Sequence, residues 1–124
     1  MSIALKTVPA TIQAGQSLSS PVLLGDYTLC GMFFPAGWTT GAITMQVSFD
    51  DGATYVELND SSGTAVSLPA SASANTYYAI DPRNANLAGA TNIKIRSGTV
   101  GAPVTQAAAV TVKVIGRRLY PGPS

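Results

Sequence analysis

Histidine is missing from this sequence, and the other residues that carry enzyme chemistry are scarce. The chain has no histidine and one cysteine among its 124 residues. The lack of histidine excludes the commonest general base, the Ser-His-Asp arrangement and most zinc sites. A single cysteine excludes an intramolecular disulfide and a cysteine-rich metal site. We therefore expect no enzyme activity, no metal and no cofactor.

Charge is also scarce, since charged residues make up 10 % of the chain and apolar residues 46 %. An apolar share of this size argues against a disordered chain. A free-standing domain normally carries more charge, which suggests that part of the surface is covered by another molecule. The net charge is +1 and the seven basic residues are scattered along the chain, so no nucleic-acid partner is expected.

Long hydrophobic runs are absent as well. No run reaches the length of a membrane span, and no signal peptide follows Met1, so we expect no membrane partner and synthesis in the cytoplasm of the cell that makes the protein. The length predicts a single domain over residues 1–119, followed by a tail over 120–124.

Short apolar or alternating runs, separated by Gly, Pro, Asn and Asp, fill the chain. About eight short strands, with turn signals every eight to twelve residues, predict an all-β antiparallel sandwich or jelly roll. Pro9 and Pro21 place the first two runs at sheet edges or in an extended arm. Further expectations are a strand over 64–68, a flexible loop over 70–75, a helical turn over 84–89 and a bend or bulge at Gly116.

The clearest local structure is a β-hairpin over 43–58. Apolar residues alternate with polar ones before the turn, and the Asp51-Gly52 pair supplies the positive φ that a tight turn needs. A second alternating run, NIKIRS, predicts Ile93 and Ile95 inward with Lys94 and Arg96 outward.

Four acidic residues around the hairpin are the remaining candidates for chemistry: Asp50, Asp51, Glu57 and Asp60. A glycosidase needs two carboxyl groups facing each other across a sugar, and a calcium loop needs a regular array that is missing here. Acids in turns usually cap their own backbone or face solvent. We interpret all four as structural turn acids.

Two further side chains have a structural and a functional interpretation. Cys30 lies in the apolar run TLCGMFF and has no histidine to activate it, so we expect a small buried residue. Trp38 is expected to close one end of the core. The alternative is a sugar-stacking role for Trp38, in a carbohydrate-binding module that uses Trp38, Tyr77 or Tyr78.

The hairpin turn resembles a known motif. The stretch SFDDGATY looks like an Asp-box, with Ser48, Asp50 and Gly52 at the motif positions and Tyr55 in place of its tryptophan. The resemblance implies a stabilised hairpin remote from catalysis, and a single copy argues against a propeller. The wider pattern is a strand leading into SFDDGATY, followed later by NIKIRSGT before a final strand. It is similar to discoidin-like, galactose-binding-like sandwiches, which implies the alternative of a carbohydrate- or surface-binding module.

A resemblance over nearly the whole chain is carried by LGDYTLCGMFFPAGWTTGAITMQVSFDDGATY, YYAIDP and IKIRSGTVGAPVTQAAAVTVKV. These stretches look like small β-sandwich structural proteins in the virions of tailed bacteriophages. The implied role is a capsid decoration or cement protein, or else a head-fibre or tail accessory. The implied partners are the major capsid protein or another virion protein.

The two ends of the chain are the expected contact regions of such a component. The low charge and the edge strands favour a module that binds a lattice, and a homo-oligomer is expected, with a trimer as one option. Terminal segments are usually disordered unless something holds them. The candidate contact residues are Ile3, Leu5, Arg117, Arg118, Leu119 and Tyr120.

Overall fold

The computed structural model describes residues 2–80 and 90–120, and the side chains of 2–4, 119 and 120 lie outside that description. Within the described residues the chain forms eight β-strands and no helix, so the predicted all-β sandwich is confirmed. The strands are β1 (Ser2–Ile12), β2 (Val22–Leu23), β3 (Thr28–Phe34), β4 (Ile43–Ser48), β5 (Val56–Glu57), β6 (Thr76–Ala79), β7 (Asn92–Ser97) and β8 (Val110–Tyr120).

Two four-stranded antiparallel sheets make up the sandwich. The first sheet has the order β1-β8-β3-β6, and the second has the order β2-β7-β4-β5. The first sheet joins the two ends of the chain, since β1 and β8 pair without interruption from Ser2 with Tyr120 to Ile12 with Val110. Tyr120, which the sequence assigned to a tail, is therefore part of β8, and the predicted N-terminal arm is the edge strand β1.

The core lies between the sheets and follows the alternation of each strand. Ile93 and Ile95 of β7 are buried, as predicted from NIKIRS. Hydrophobic residues from both sheets form one cluster. Its fully buried side chains include Ile12, Leu29, Met32, Phe34, Ile43, Met45, Val112 and Val114.

Pro9 occupies a position in β1 that tolerates proline. The N–H of Thr11 donates to Ser20 Oγ at 3.1 Å, and the Thr11 carbonyl accepts from Ser20 N–H at 2.9 Å, so both groups point away from β8. Because an antiparallel ladder alternates every residue, Pro9 also faces away from β8 and no ladder bond is lost. The prediction that Pro9 marks an edge strand is confirmed.

Three local expectations need correction. Residues 64–68 form no strand, although Ala65 makes an isolated bridge with Asn59. The loop over 70–75 is anchored, because Ala72 is fully buried and bridges Gly41. The bulge lies at Cys30 in β3, where the register shifts between Leu29 and Gly31, while Gly116 opposite stays in the ladder.

The predicted helical turn over 84–89 lies outside the described residues. Within the described ranges, no helix is long and apolar enough to cross a membrane.

Candidate interaction surface

The ends of β1 and β8 form a two-stranded ribbon that continues past the rest of the sandwich. The last pair between β3 and β8 is Thr28 with Arg117, whereas β1 continues to pair with β8 as far as Ser2 with Tyr120. The Leu5 side chain, opposite Arg117, is 66 % exposed. The Leu5 side chain of the ribbon is therefore accessible to solvent.

Tyr27 lies on the base of this ribbon. A Cβ added at Gly116 would lie 3.0 Å from the Tyr27 Cβ, so a larger residue at 116 would displace the ring. Lys6 Nζ and Arg118 Cζ lie 5.0 and 4.9 Å from the Tyr27 ring centroid, within the range of cation–π attraction. Val114, Gly116 and Arg118 share one face of β8. Along this face the side chains thus change from apolar, at Val114 in the core, to cationic, at Arg118 in the ribbon.

An ion pair connects the ribbon to the turn before β3. Arg118 Nη1 lies 2.5 Å from Asp26 Oδ2, and this hydrogen bond lowers the pKa of the Asp26 carboxyl below its usual value. Both side chains are solvent-accessible, so salt would screen the attraction. The pair positions Arg118 beside Tyr27.

The β4–β5 hairpin has the internal bonds expected of its motif. Ser48 Oγ donates to Asp50 Oδ1 and accepts from Gly52 N–H, both at 2.8 Å. Asp50 Oδ1 also accepts from Thr54 N–H at 2.9 Å, and this backbone bond is the main reason why the pKa of Asp50 is lowered. Asp51 and Gly52 both have positive φ, at 60° and 91°, as the turn prediction requires.

The hairpin and the ribbon meet at one end of the sandwich. Asp51 N–H donates to Thr91 Oγ1 at 3.1 Å, and Thr91 N–H donates to the Ser48 carbonyl at 2.8 Å. The Thr91 carbonyl accepts from Gly25 N–H at 3.0 Å, and Gly25 directly precedes the ion-paired Asp26. We call this end the terminal pole and define it as residues 2–6, 25–28, 48–54, 91 and 117–120.

The candidate contact residues predicted from the sequence all fall on the terminal pole. Leu5, Arg117 and Arg118 lie in the ribbon with at least partly accessible side chains. The backbones of Ile3, Leu119 and Tyr120 lie in the same ladder, and their side chains lie outside the described part of the chain. Sequence analysis missed Tyr27, Lys6 and Phe49, which is 66 % exposed at the hairpin tip.

The structure does not bring the three candidate sugar-binding residues together, and it contradicts a sugar-stacking role for Trp38. Trp38 is only 4 % exposed, packs against Phe34 with ring centroids 4.7 Å apart, and donates from Nε1 to the Ala72 carbonyl at 3.2 Å. Tyr78 packs edge-on against Phe34, and its hydroxyl accepts from Ser73 N–H. Tyr77 is exposed on the outer face of the first sheet. A sugar would find a single accessible ring here.

The outer face of the first sheet places Tyr77 over Gly31. A Cβ added at Gly31 would lie 1.8 Å from Tyr77 Oη, so the ring lies across the glycine. Partial burial raises the pKa of Tyr77, and burial also raises the pKa of the neighbouring Cys30 thiol. A raised thiol pKa lowers the reactive thiolate fraction. Cys30 is partly accessible at the bulge of β3, so the prediction that it is buried is wrong.

The four acids have different roles, and the prediction for Glu57 is wrong. Asp50 caps its turn, and Asp60 does the same in the next loop, where its Oδ1 accepts from Ser62 and Thr64 N–H at 2.9 and 3.0 Å. Glu57 instead accepts from both Arg96 amino groups, at 2.6 and 2.7 Å. Asp51 has a positive φ at the turn.

The Glu57–Arg96 pair is a structural feature that the sequence pattern did not reveal. Arg96 is 7 % exposed on the outer face of the second sheet, and its hydrogen bond to Glu57 lowers the pKa of that carboxyl and raises the pKa of Arg96. Gln46 adds a bond to Glu57 at 2.9 Å. Because Glu57 lies in β5 and Arg96 in β7, the pair connects these two strands across β4, which lies between them.

No cluster of three or more acidic, cysteine or histidine side chains suited to a metal occurs within the described residues. The accessible groups of the terminal pole include apolar side chains and cations.

Comparison with known proteins supports the fold. No protein-family model and no curated protein matches the chain. The structure is similar to the crystal structure of the SPBc2 prophage-derived protein YomS, with a TM-score of 0.51. The two sequences are 17 % identical, and the alignment covers 93 % of this chain and 96 % of the other. The fold is thus shared, over nearly its full length, with a phage-derived protein.

Proposed function

We propose that this protein is a structural component of a bacteriophage virion, most specifically a capsid decoration or cement protein. The observation that carries the proposal is the full-length similarity of its fold to a prophage-derived protein. The sequence resemblance to small virion sandwiches supports the same class. In this role the protein is made in the host cytoplasm and ends in the assembled particle.

The terminal pole is the proposed contact with the major capsid protein or another virion protein. It combines exposed Leu5 and Phe49 with the partly accessible Arg117 and Arg118 at one end of the sandwich. A low overall charge means that such a contact depends mainly on shape and apolar area. Binding to a repeated lattice would also multiply a modest affinity if the component is an oligomer.

The first test is the composition of the particle. We expect mass spectrometry of purified virions from the phage that encodes this chain to detect the protein in many copies per particle. Its absence from purified virions, with the capsid protein detected in the same sample, would overturn the proposed function.

The second test separates the terminal pole from the opposite end. Phe49 at the terminal pole and Val100 at the far end are similarly exposed, at 66 % and 62 %. We expect Phe49→Ser, combined with Arg117→Ala, to lower occupancy on particles lacking the wild-type protein by at least roughly tenfold, the effect of one moderate interface contact.

Val100→Ser is the matched control and should bind like the wild type. Equal occupancy for the two variants would reject the terminal pole as the contact. Point substitutions are preferable to deleting 117–124, because that deletion would remove the ladder partners of Ser2 to Leu5 in β1.

A further inference from the structure

The outer edge of β1 is the longest strand edge among the described residues. β1 has 11 residues, whereas the other edge strands, β6, β2 and β5, have 4, 2 and 2. Thr11 turns its backbone N–H and carbonyl away from β8 toward Ser20. The ladder has no register shift, so Ile3, Leu5 and Thr7 turn theirs the same way.

These groups find no backbone partner within the part of the chain that the structure describes. Leu5 is 66 % exposed and Thr7 is exposed as well, so no described side chain covers the edge there. A row of unpaired donors and acceptors is a template for another strand. The template ends at Pro9, which has no N–H, and at Thr11, whose groups are occupied by Ser20.

We propose that a second copy of this chain pairs with the edge over residues 3–7, antiparallel and about a twofold axis at Leu5. Leu5 then lies opposite Leu5 of the second copy, and Ile3 lies opposite Thr7. Every outward N–H and carbonyl of the three residues gains a partner. The two first sheets join into one continuous sheet of eight strands, twice the four in each copy.

The edge is complementary to its own copy in this register. A twofold contact requires a self-complementary surface, and Lys6 is the single charged residue of 3–7. With the axis at Leu5, Lys6 lies opposite Ala4. An axis at Lys6 would place two ammonium groups side by side, and an axis at Thr7 would oppose Pro9 to Leu5 and lose its donor.

This inference goes beyond the proposed function and does not depend on it, because it concerns the isolated protein. Self-pairing would place two terminal poles on one rigid sheet. The dimer could therefore be confirmed even if the virion role were rejected, and the reverse is also true.

The decisive experiment is sedimentation equilibrium of the purified full chain, with Leu5→Pro as the test variant. We expect the wild type to sediment as a dimer, at twice the chain mass of 12.7 kDa. Leu5→Pro removes an N–H that points away from β8, so every hydrogen bond between β1 and β8 is kept. Pro9 already occupies an equivalent position in β1. The variant should therefore be a folded monomer. Leu5→Val keeps the N–H and should remain a dimer.

A cross-link keeps the test valid if the proline variant fails to fold. In a Cys30→Ala background, Leu5→Cys places two thiols on Cα atoms about 5.5 Å apart, within the range that a disulfide spans. We expect mild oxidation to give a covalent dimer, and the exposed control Thr111→Cys to give none.

Three results would each overturn the proposal. They are a wild-type monomer at high micromolar concentration, an oligomer that Leu5→Pro leaves intact, and a dimer that the Leu5→Cys variant does not cross-link. A monomer that instead accepts a strand from a different protein also counts against it.

Discussion

Asp50 and Asp51 are adjacent and chemically identical, yet they serve the hairpin differently. The Asp50 carboxylate accepts from Ser48 Oγ and Thr54 N–H, which links both sides of the turn. Asp51 contributes its backbone, with a φ of 60°. Asparagine should therefore be tolerated at position 51, where it can adopt the same positive φ, and not at position 50.

We expect Asp50→Asn to lower the urea midpoint of unfolding by roughly half a molar at pH 7, because one charged acceptor is lost. Asp51→Asn is the charge-matched control and should leave the midpoint nearly unchanged. The measurement is urea denaturation followed by circular dichroism. Equal effects at both positions would contradict the role assigned to Asp50.

The same pair of variants predicts a pH dependence. The pKa of Asp50 is lowered from its usual 3.8, so its stabilisation is present above pH 3.8 and is lost as the pH falls through the lower folded pKa. The difference between wild type and Asp50→Asn should shrink below pH 3.8. A difference that grows in acid would have the wrong sign.

At the scale of the element, Lys94 and Arg96 of β7 look equivalent in sequence and face the same side of the sheet. Lys94 lies over the Tyr55 ring, with Nζ 4.4 Å from the centroid, and stays partly accessible. Arg96 is buried and holds Glu57 through two hydrogen bonds. The two cations should therefore contribute very different amounts to stability.

We expect Arg96→Ala to lower the free energy of unfolding by about 2 kcal/mol, because it removes a buried guanidinium and leaves Glu57, whose side chain is 34 % exposed, without its partner. Lys94→Ala, two residues earlier on the same face, should cost about 0.5–1 kcal/mol. Urea denaturation of both variants measures the difference. Equal losses would show that Glu57 does not depend on Arg96.

At the scale of the whole molecule, both sheets contribute to one hydrophobic cluster, which argues for a single cooperative unit. Trp38 lies in that cluster, and no other tryptophan occurs in the chain. Its fluorescence therefore reports the core directly.

We expect the urea transitions followed by Trp38 fluorescence and by far-ultraviolet circular dichroism to coincide. Loss of core packing should expose the ring at the same denaturant concentration at which the strands unpair. Two separate transitions would mean that one sheet or the terminal ribbon unfolds independently of the core.

Sequence analysis succeeded where the signal is local. It located the strands of the sandwich, the inward isoleucines of β7 and the turn at Asp51-Gly52, because alternation and positive φ depend on neighbouring residues. It also placed Pro9 at an edge, since proline cannot donate to a ladder. The interpretation of Cys30 as structural relied on the missing histidine, whereas its predicted burial is wrong because Cys30 lies at the bulge of β3.

The failures concern pairs of residues far apart in the chain. Glu57 was interpreted as a turn acid because nothing near it in sequence indicates Arg96, which is 39 residues away. Gly116 was expected to bend its own strand, whereas it makes room for Tyr27. The alternative of Trp38 as a sugar-stacking residue is wrong, because the ring packs against Phe34 and donates to the Ala72 carbonyl.

The amino-acid sequence by itself determined the all-β class, the hairpin turn and the inward face of β7, because period-two alternation and backbone preferences are local properties. Only the tertiary structure decided that the two ends of the chain pair with each other. It also decided that this ribbon lies beside the hairpin and that Arg96 is buried. These outcomes depend on which distant strands share hydrogen bonds and a common core, and alternation alone does not specify a strand's partner.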